Sequence, residues 1–125
     1  MHKRQASADE LISFILHGIE EVKGLDTNLL DLREIENTVC DYFIICSGTS
    51  NTHVNAIVNS IQKTVREAIQ DKPWHVEGSE QAEWVLLDYI NVVVHVFQKH
   101  TREFYDLEGL WGDAKVTLVE NSYNQ

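Results

Sequence analysis

Apolar positions along the chain fall into two helical stripes and a set of shorter, strand-like runs. Ser7-Ala8-Asp9-Glu10 has the form of a capping box, with a Ser side chain for free amides and a Glu three residues on to reach back. Behind it Leu11, Ile12, Ile15, Leu16, Ile19 and Val22 recur at the helical period, and Gly24 supplies a stop. A second stripe runs through Val54, Ile57, Val58, Ile61, Val65, Ala68 and Ile69. It follows a Ser47-Gly48-Thr49-Ser50-Asn51 loop rich in N-cap residues and closes at Asp71-Lys72-Pro73. Between the stripes, residues 29–33 read as a short strand that the polar stretch 34–38 breaks. Residues 39–46 are apolar at both parities apart from Asp41, which predicts a central strand covered on both faces.

Past Pro73 the period shortens. Residues 74–77 form a short candidate strand closed by Gly78 and Ser79, and residues 84–89 and 92–98 read as two strands around a tight turn at Ile90-Asn91. Thr101-Arg102-Glu103 opens a short third helix carrying Phe104, Leu107, Leu110 and Trp111, and Val116, Leu118 and Val119 suit a last edge strand. This order predicts a single α/β domain of α+β-like character, with a mixed, about five-stranded sheet packed by two long helices and a short C-terminal helix. The domain is expected over residues 7–114, between a flexible N-terminus at 1–6 and a tail at 115–125.

The hairpin carries the functional signal. With a two-residue turn, Asp88 pairs with Val93, Leu86 with His95 and Trp84 with Phe97. Alternation then sorts the side chains into two sets. Val85, Leu87, Tyr89, Val92, Val94 and Val96 are apolar enough to be core beneath the two long helices. Trp84, Leu86, Asp88, Val93, His95 and Phe97 mix large aromatics with a carboxylate and an imidazole, the composition of a protein-interface centre. Trp84, Leu86, Asp88, His95 and Phe97 are the candidate partner-binding residues; Tyr89 and the Glu77-Gly78 segment are secondary candidates that core or turn roles explain equally well. The competing reading folds the third helix over this face, and a three-residue turn would flip the second strand's parity.

Composition narrows the partner. Twenty acidic against ten basic residues give a net charge of −10, and Lys3-Arg4 is the one adjacent basic pair. Broad nucleic-acid binding, which rests on cations displacing phosphate counterions, is not expected. An acidic surface suits a basic protein partner. Cys40 and Cys46 sit in or beside the apolar run, with no C-x-x-C pair, and read as buried free thiols in a reducing compartment. No apolar stretch approaches the roughly 18 residues that span a bilayer, and the N-terminus has no signal or transit pattern, so a cytoplasmic protein is expected.

Catalytic chemistry finds little support. The Ser47-Gly48-Thr49-Ser50 loop between strand and helix could cradle a phosphate, but it has no P-loop lysine, and an N-cap role explains it better. Asp88 stands alone on its strand with Leu86 where a second metal carboxylate would be needed. The six histidines show no metal-ligand spacing. No cofactor, metal or catalytic residue is expected.

Three segments resemble one family. Asp41-Tyr42-Phe43-Ile44-Ile45-Cys46-Ser47-Gly48-Thr49-Ser50 with His53-Val54 and Ala56-Ile57 is similar to the first signature of the Iojap, or ribosomal silencing factor, family. Glu77-Gly78, Trp84-Val85-Leu86-Leu87-Asp88-Tyr89 and Val92-Val93-Val94-His95-Val96-Phe97 resemble the second; Arg102, Tyr105-Asp106-Leu107-Glu108 and Leu110-Trp111 resemble the third. One departure stands out: Ile90 and Asn91 occupy the turn where the family commonly has Gly and Asp. Either Asn91 takes the positive φ or the turn type differs. The resemblance implies a nucleotidyltransferase-like topology without the metal carboxylates, and binding to the large ribosomal subunit through its ribosomal protein fourteen. Occupying that face would block subunit joining and repress translation. It leaves open a role in large-subunit assembly, and a homodimer when the protein is free.

Overall fold

The computed structural model describes residues 7–38 and 40–120. Val39, the N-terminal residues 1–6 and the last five residues of the expected tail, 121–125, therefore lie outside the described residues. Element order is α1 (Ala8–Glu21), β1 (Leu25–Asp31), β2 (Tyr42–Gly48), α2 (Asn51–Ile69), β3 (His75–Glu77), β4 (Trp84–Asp88), β5 (Val92–Gln98), α3 (Lys99–Tyr105), α4 (Leu107–Leu110) and β6 (Lys115–Leu118).

Local signals set the helix ends. Ser7 caps α1 through the full capping box, its side chain accepting from the Glu10 amide. Ser50 caps α2 by accepting from the His53 amide. The left-handed residue after α1 is Lys23, with φ 57°, rather than Gly24. The two helices lie close together because Gly18 has no side chain: a Cβ there would stand 2.8 Å from the Ile61 Cα. The Ser60 hydroxyl fixes the crossing by donating to the Gly18 carbonyl at 2.6 Å.

The sheet has six strands in the order β3-β4-β5-β2-β1-β6. The β2–β5 pair is parallel and every other pair antiparallel. The sixth strand, β6, pairs with β1 beyond the expected domain boundary at residue 114, and the Val119 amide extends that ladder to Thr27. As its two-parity pattern predicts, β2 is buried throughout and central. Its Tyr42, Ile44 and Cys46 join the cluster under α1 and α2, together with Val85, Leu87, Tyr89, Val92, Val94 and Val96. Its Phe43 and Ile45 enter a second cluster on the opposite face, with Leu30, Leu32, Val93, Phe97 and Leu107.

The C-terminal helix differs from expectation. It breaks at Asp106, which takes φ 45° and serves at once as C-cap of α3 and N-cap of α4. The break turns the predicted single stripe into two: Leu107 is buried, whereas Phe104 is 81% exposed and Leu110 also faces solvent.

A pre-organised aromatic face on the sheet

The hairpin register is the one its alternation predicts. Trp84 pairs with Phe97, Leu86 with His95 and Asp88 with Val93, and the Tyr89 amide donates to the Val92 carbonyl at 2.9 Å. The turn itself is unusual. Ile90, not Asn91, takes the positive φ, at 75°. The Asn91 amide reaches back to the Tyr89 carbonyl at 3.0 Å, giving a γ-turn. Asp88 Oδ1 accepts from the Ile90 amide at 2.7 Å, and the Asn91 carbonyl accepts from the amides of Asp41 and Tyr42. These bonds hold the turn against the start of β2, so the register survives the β-branched residue.

The candidate residues separate by depth. Trp84, Leu86 and Asp88 on β4 are half-buried and reachable from outside. Val93, His95 and Phe97 on β5 are buried beneath them. Tyr89 lies on the opposite side, within the helix-packed cluster, and takes no part in the open face. The secondary Glu77-Gly78 segment has a backbone role: Gly78 has φ 89°, and a Cβ there would come within 2.1 Å of the Trp84 carbonyl oxygen. Gly78 therefore lets the 78–83 loop close against β4.

Trp84 is held on several sides. Its indole stacks on Phe97 at 4.9 Å between ring centroids, and Tyr105 from α3 leans on it at 5.0 Å. Its Nε1–H donates to His95 Nδ1 at 3.0 Å. His95 is 4% exposed and meets the edge of Phe43 at 4.7 Å. Burial lowers its pKa from 6.5 to about 4, so the ring is neutral near pH 7. Phe43 in turn packs against Trp111 at 5.5 Å. The C-terminal helices thus border the face with Tyr105 and Trp111 without sealing it. Sequence reasoning missed Tyr105, because a stripe through Phe104 and Leu107 assigns it to the other side of an unbroken helix.

A polar hub at the end of β2 fastens those helices down. Arg102, on α3, donates from Nε and Nη2 to both oxygens of Glu108, at 3.0 and 2.9 Å. Its Nη1 donates to the Asp26 carbonyl at 2.7 Å and to Ser47 Oγ at 2.9 Å. Asn28 adds a bond to Glu108 Oε2 at 2.5 Å. The hydrogen bonds from Arg102 hold the Glu108 carboxyl below its ordinary range. Ser47 is therefore a strand residue committed to this hub, beside a cavity of about 220 Å³ lined also by Lys99 and Glu103. Among the described residues, no three His, Cys, Asp or Glu side chains converge as a metal site would need. Nor is any described helix long and apolar enough to cross a membrane.

Sheet, helices and face together define the class: a small α+β domain covered by two helices on one side and presenting a partly open aromatic face on the other. A family model described as "Ribosomal silencing factor during starvation" matches residues 5–125, and the chain belongs to that family. It is 39% identical over 115 residues to the ribosomal silencing factor RsfS of Halalkalibacterium halodurans, covering 91% of this chain and 96% of that protein. A mouse protein named mitochondrial assembly of ribosomal large subunit protein 1 is 37% identical over 73 residues, which is 57% of this chain and 32% of that one. A crystal structure of a Chromobacterium violaceum protein superposes with a TM-score of 0.80 at 34% identity, covering 94% of this chain and 97% of that one. The resemblance carried by the three signatures holds, and with it the α+β fold.

Proposed function

We propose that the Trp84 face docks this chain onto the large ribosomal subunit, on its ribosomal protein fourteen, and that the docked domain blocks subunit joining and represses translation. The observation that carries this reading is the state of Trp84, a half-buried indole fixed by stacking and a hydrogen bond before any partner arrives. Interface anchors are typically aromatic residues held in this way. Leu86 supplies apolar contact beside it. Asp88, one oxygen of which holds the turn, brings negative charge to the rim for a Lys or Arg of the partner. The net charge of −10 supports a basic protein surface as the target and argues against RNA as the main contact. Blocking needs only the bulk of a 14.4 kDa domain at the joining face.

On this reading the chain acts by binding, without a catalytic step or cofactor, in the cytoplasm. The test is sedimentation of the purified protein with isolated large subunits, small subunits and joined ribosomes. Wild type should pellet with free large subunits alone, and Trp84→Ala should bind them about 30- to 1000-fold more weakly while remaining folded. Unchanged binding by the folded variant moves the contact elsewhere, and no binding by wild type ends the reading. Self-association of the free protein through the same face would show as a dimer that dissociates when large subunits are added. The name of the mouse relative favours a second reading, assistance in large-subunit assembly. Accumulation of immature large subunits in cells lacking the protein would select it.

A further inference from the structure

We propose that His95 is the positioning residue of this face: its Nδ1 holds the Trp84 indole in the docking pose, and the imidazole does not itself meet the partner. This rests on the reading of the Trp84 face given above. At 4% exposure, beneath Trp84 and against Phe43, the ring offers a partner no surface of its own. What it offers is an acceptor, 3.0 Å from Trp84 Nε1. The ring is a firm base for that bond, since Phe43 meets it edge-on and Phe97 lies nearly parallel to it, at 18°.

The cost of having an imidazole here is visible. A neutral ring that accepts at Nδ1 carries its proton on Nε2. His95 Nε2 is buried and has no hydrogen-bond partner among the described residues. A buried orphan donor is destabilising, and a Phe side chain would fill much the same space without one. The fold thus keeps a residue that its packing does not require. The return is the one hydrogen bond that fixes the orientation of the indole, which removes an ordering cost from binding. If His95 served packing alone, replacing it by Phe would lower stability or leave binding untouched.

The experiment compares wild type, His95→Phe, Trp84→Phe and the double variant, each ¹⁵N-labelled. In wild type, the Trp84 Nε1–H should exchange slowly and show scalar coupling across the hydrogen bond to His95 Nδ1. H95F should melt at or above the wild-type temperature and lose that signature. It should bind isolated bacterial large subunits about tenfold more weakly. In the W84F background, which has no indole N–H, the His95 change should weaken binding no further. Absence of the coupling in wild type, wild-type affinity in H95F, or an undiminished loss in the W84F background would each overturn the proposal. So would an H95F chain that does not fold, because it would assign the imidazole to the core. Failure of wild type to bind large subunits would instead remove the functional reading, leaving the indole signature to decide whether His95 positions Trp84.

Discussion

On the helix side of the sheet, Ile44, Cys46, Leu87, Val94 and Val96 meet two apolar stripes in a cluster with no acidic or basic side chain. On the other side, Phe43, Ile45, Val93 and Phe97 pack with Leu30 and Leu32 and are covered by Leu107 and a rim of aromatic rings, and the segment bearing that cover is tied down by an arginine–carboxylate hub. The same strands supply both faces, so the difference lies in the covers. Nineteen-residue α2 and fourteen-residue α1 hide the centre of their face, leaving only Leu29 and Val76 partly buried at its edges, whereas α3 and α4, seven and four residues long, leave half-buried groups at β4. Apolar burial needs no particular geometry and stabilises in proportion to area. A polar hub gives placement instead, and placement is what a docking face needs.

Removing the hub should test that contrast most severely. Arg102→Met takes away a side chain only 12% exposed and leaves Glu108 and Ser47 without their shared donor, Glu108 keeping only its bond from Asn28. Breaking a buried ion pair from one side typically costs about 3–5 kcal/mol, and this pair, with Glu108 27% exposed, falls at or below the low end of that range. Chemical denaturation should show a loss of that order, with Tyr105 and Trp111 released from the rim, so large-subunit affinity falls too. A loss well under 1 kcal/mol would mean that the apolar contacts of Leu107 alone hold the C-terminal segment. Leu87→Ala probes the opposite face. It should cost about 2–5 kcal/mol in stability, yet the folded fraction should bind large subunits as wild type does. If L87A weakens binding per folded molecule, the two faces are mechanically coupled and the comparison fails.

Acid should distinguish the faces as well. The folded-state pKa of His95 lies below its unfolded value, at about 4 against 6.5, so between these pH values the unfolded chain binds the proton and the folded chain does not. Its contribution is therefore fully present above pH 6.5, declines as pH falls, and is gone below about pH 4. The span corresponds to about 3 kcal/mol. Denaturation series across that range should show wild type losing stability relative to H95F by roughly this amount. Parallel curves for the two proteins would mean that the buried ring is protonated without penalty.

Strong periodicity made most of the fold legible. Two capped stripes, one run apolar at both parities and one alternating hairpin place α1, α2, β2, β4 and β5, and the hairpin's parity alone separates the helix-packed set from the mixed set. Other features depend on pairs that no spacing rule links. Arg102 meets the Asp26 carbonyl 76 positions away, and Asn28 meets Glu108 at a separation of 80. The start of β1 was hidden because Asp26, Thr27 and Asn28 are polar and the strand is irregular there, with Asp26 at φ 50°. The helix break at Asp106 has no Gly or Pro to announce it, so Tyr105 was not placed beside Trp84. Depth was equally illegible: Trp84 and Phe97 share a face by parity, yet only packing puts Phe97 beneath the indole.

The smallest predicted effect concerns the turn that sets the register of both faces. Ile90 is 58% exposed, so its side chain contributes little burial, while its φ of 75° is one that a β-branched residue adopts only under strain. Its amide bond to Asp88 and the two amides on the Asn91 carbonyl impose that conformation. Glycine would adopt it freely, at the cost of greater freedom in the unfolded chain, of about 0.5–1 kcal/mol. Strain of this kind is worth about 1–3 kcal/mol. Ile90→Gly should therefore gain about 1 kcal/mol, a rise in melting temperature of about 4 °C. Large-subunit affinity should not change, because the register is already set by the Tyr89–Val92 bond. A lower melting temperature would show that the Ile90 side chain packs more than its exposure indicates. Unchanged stability with weaker binding would extend the docking surface from the aromatic face to the hairpin tip.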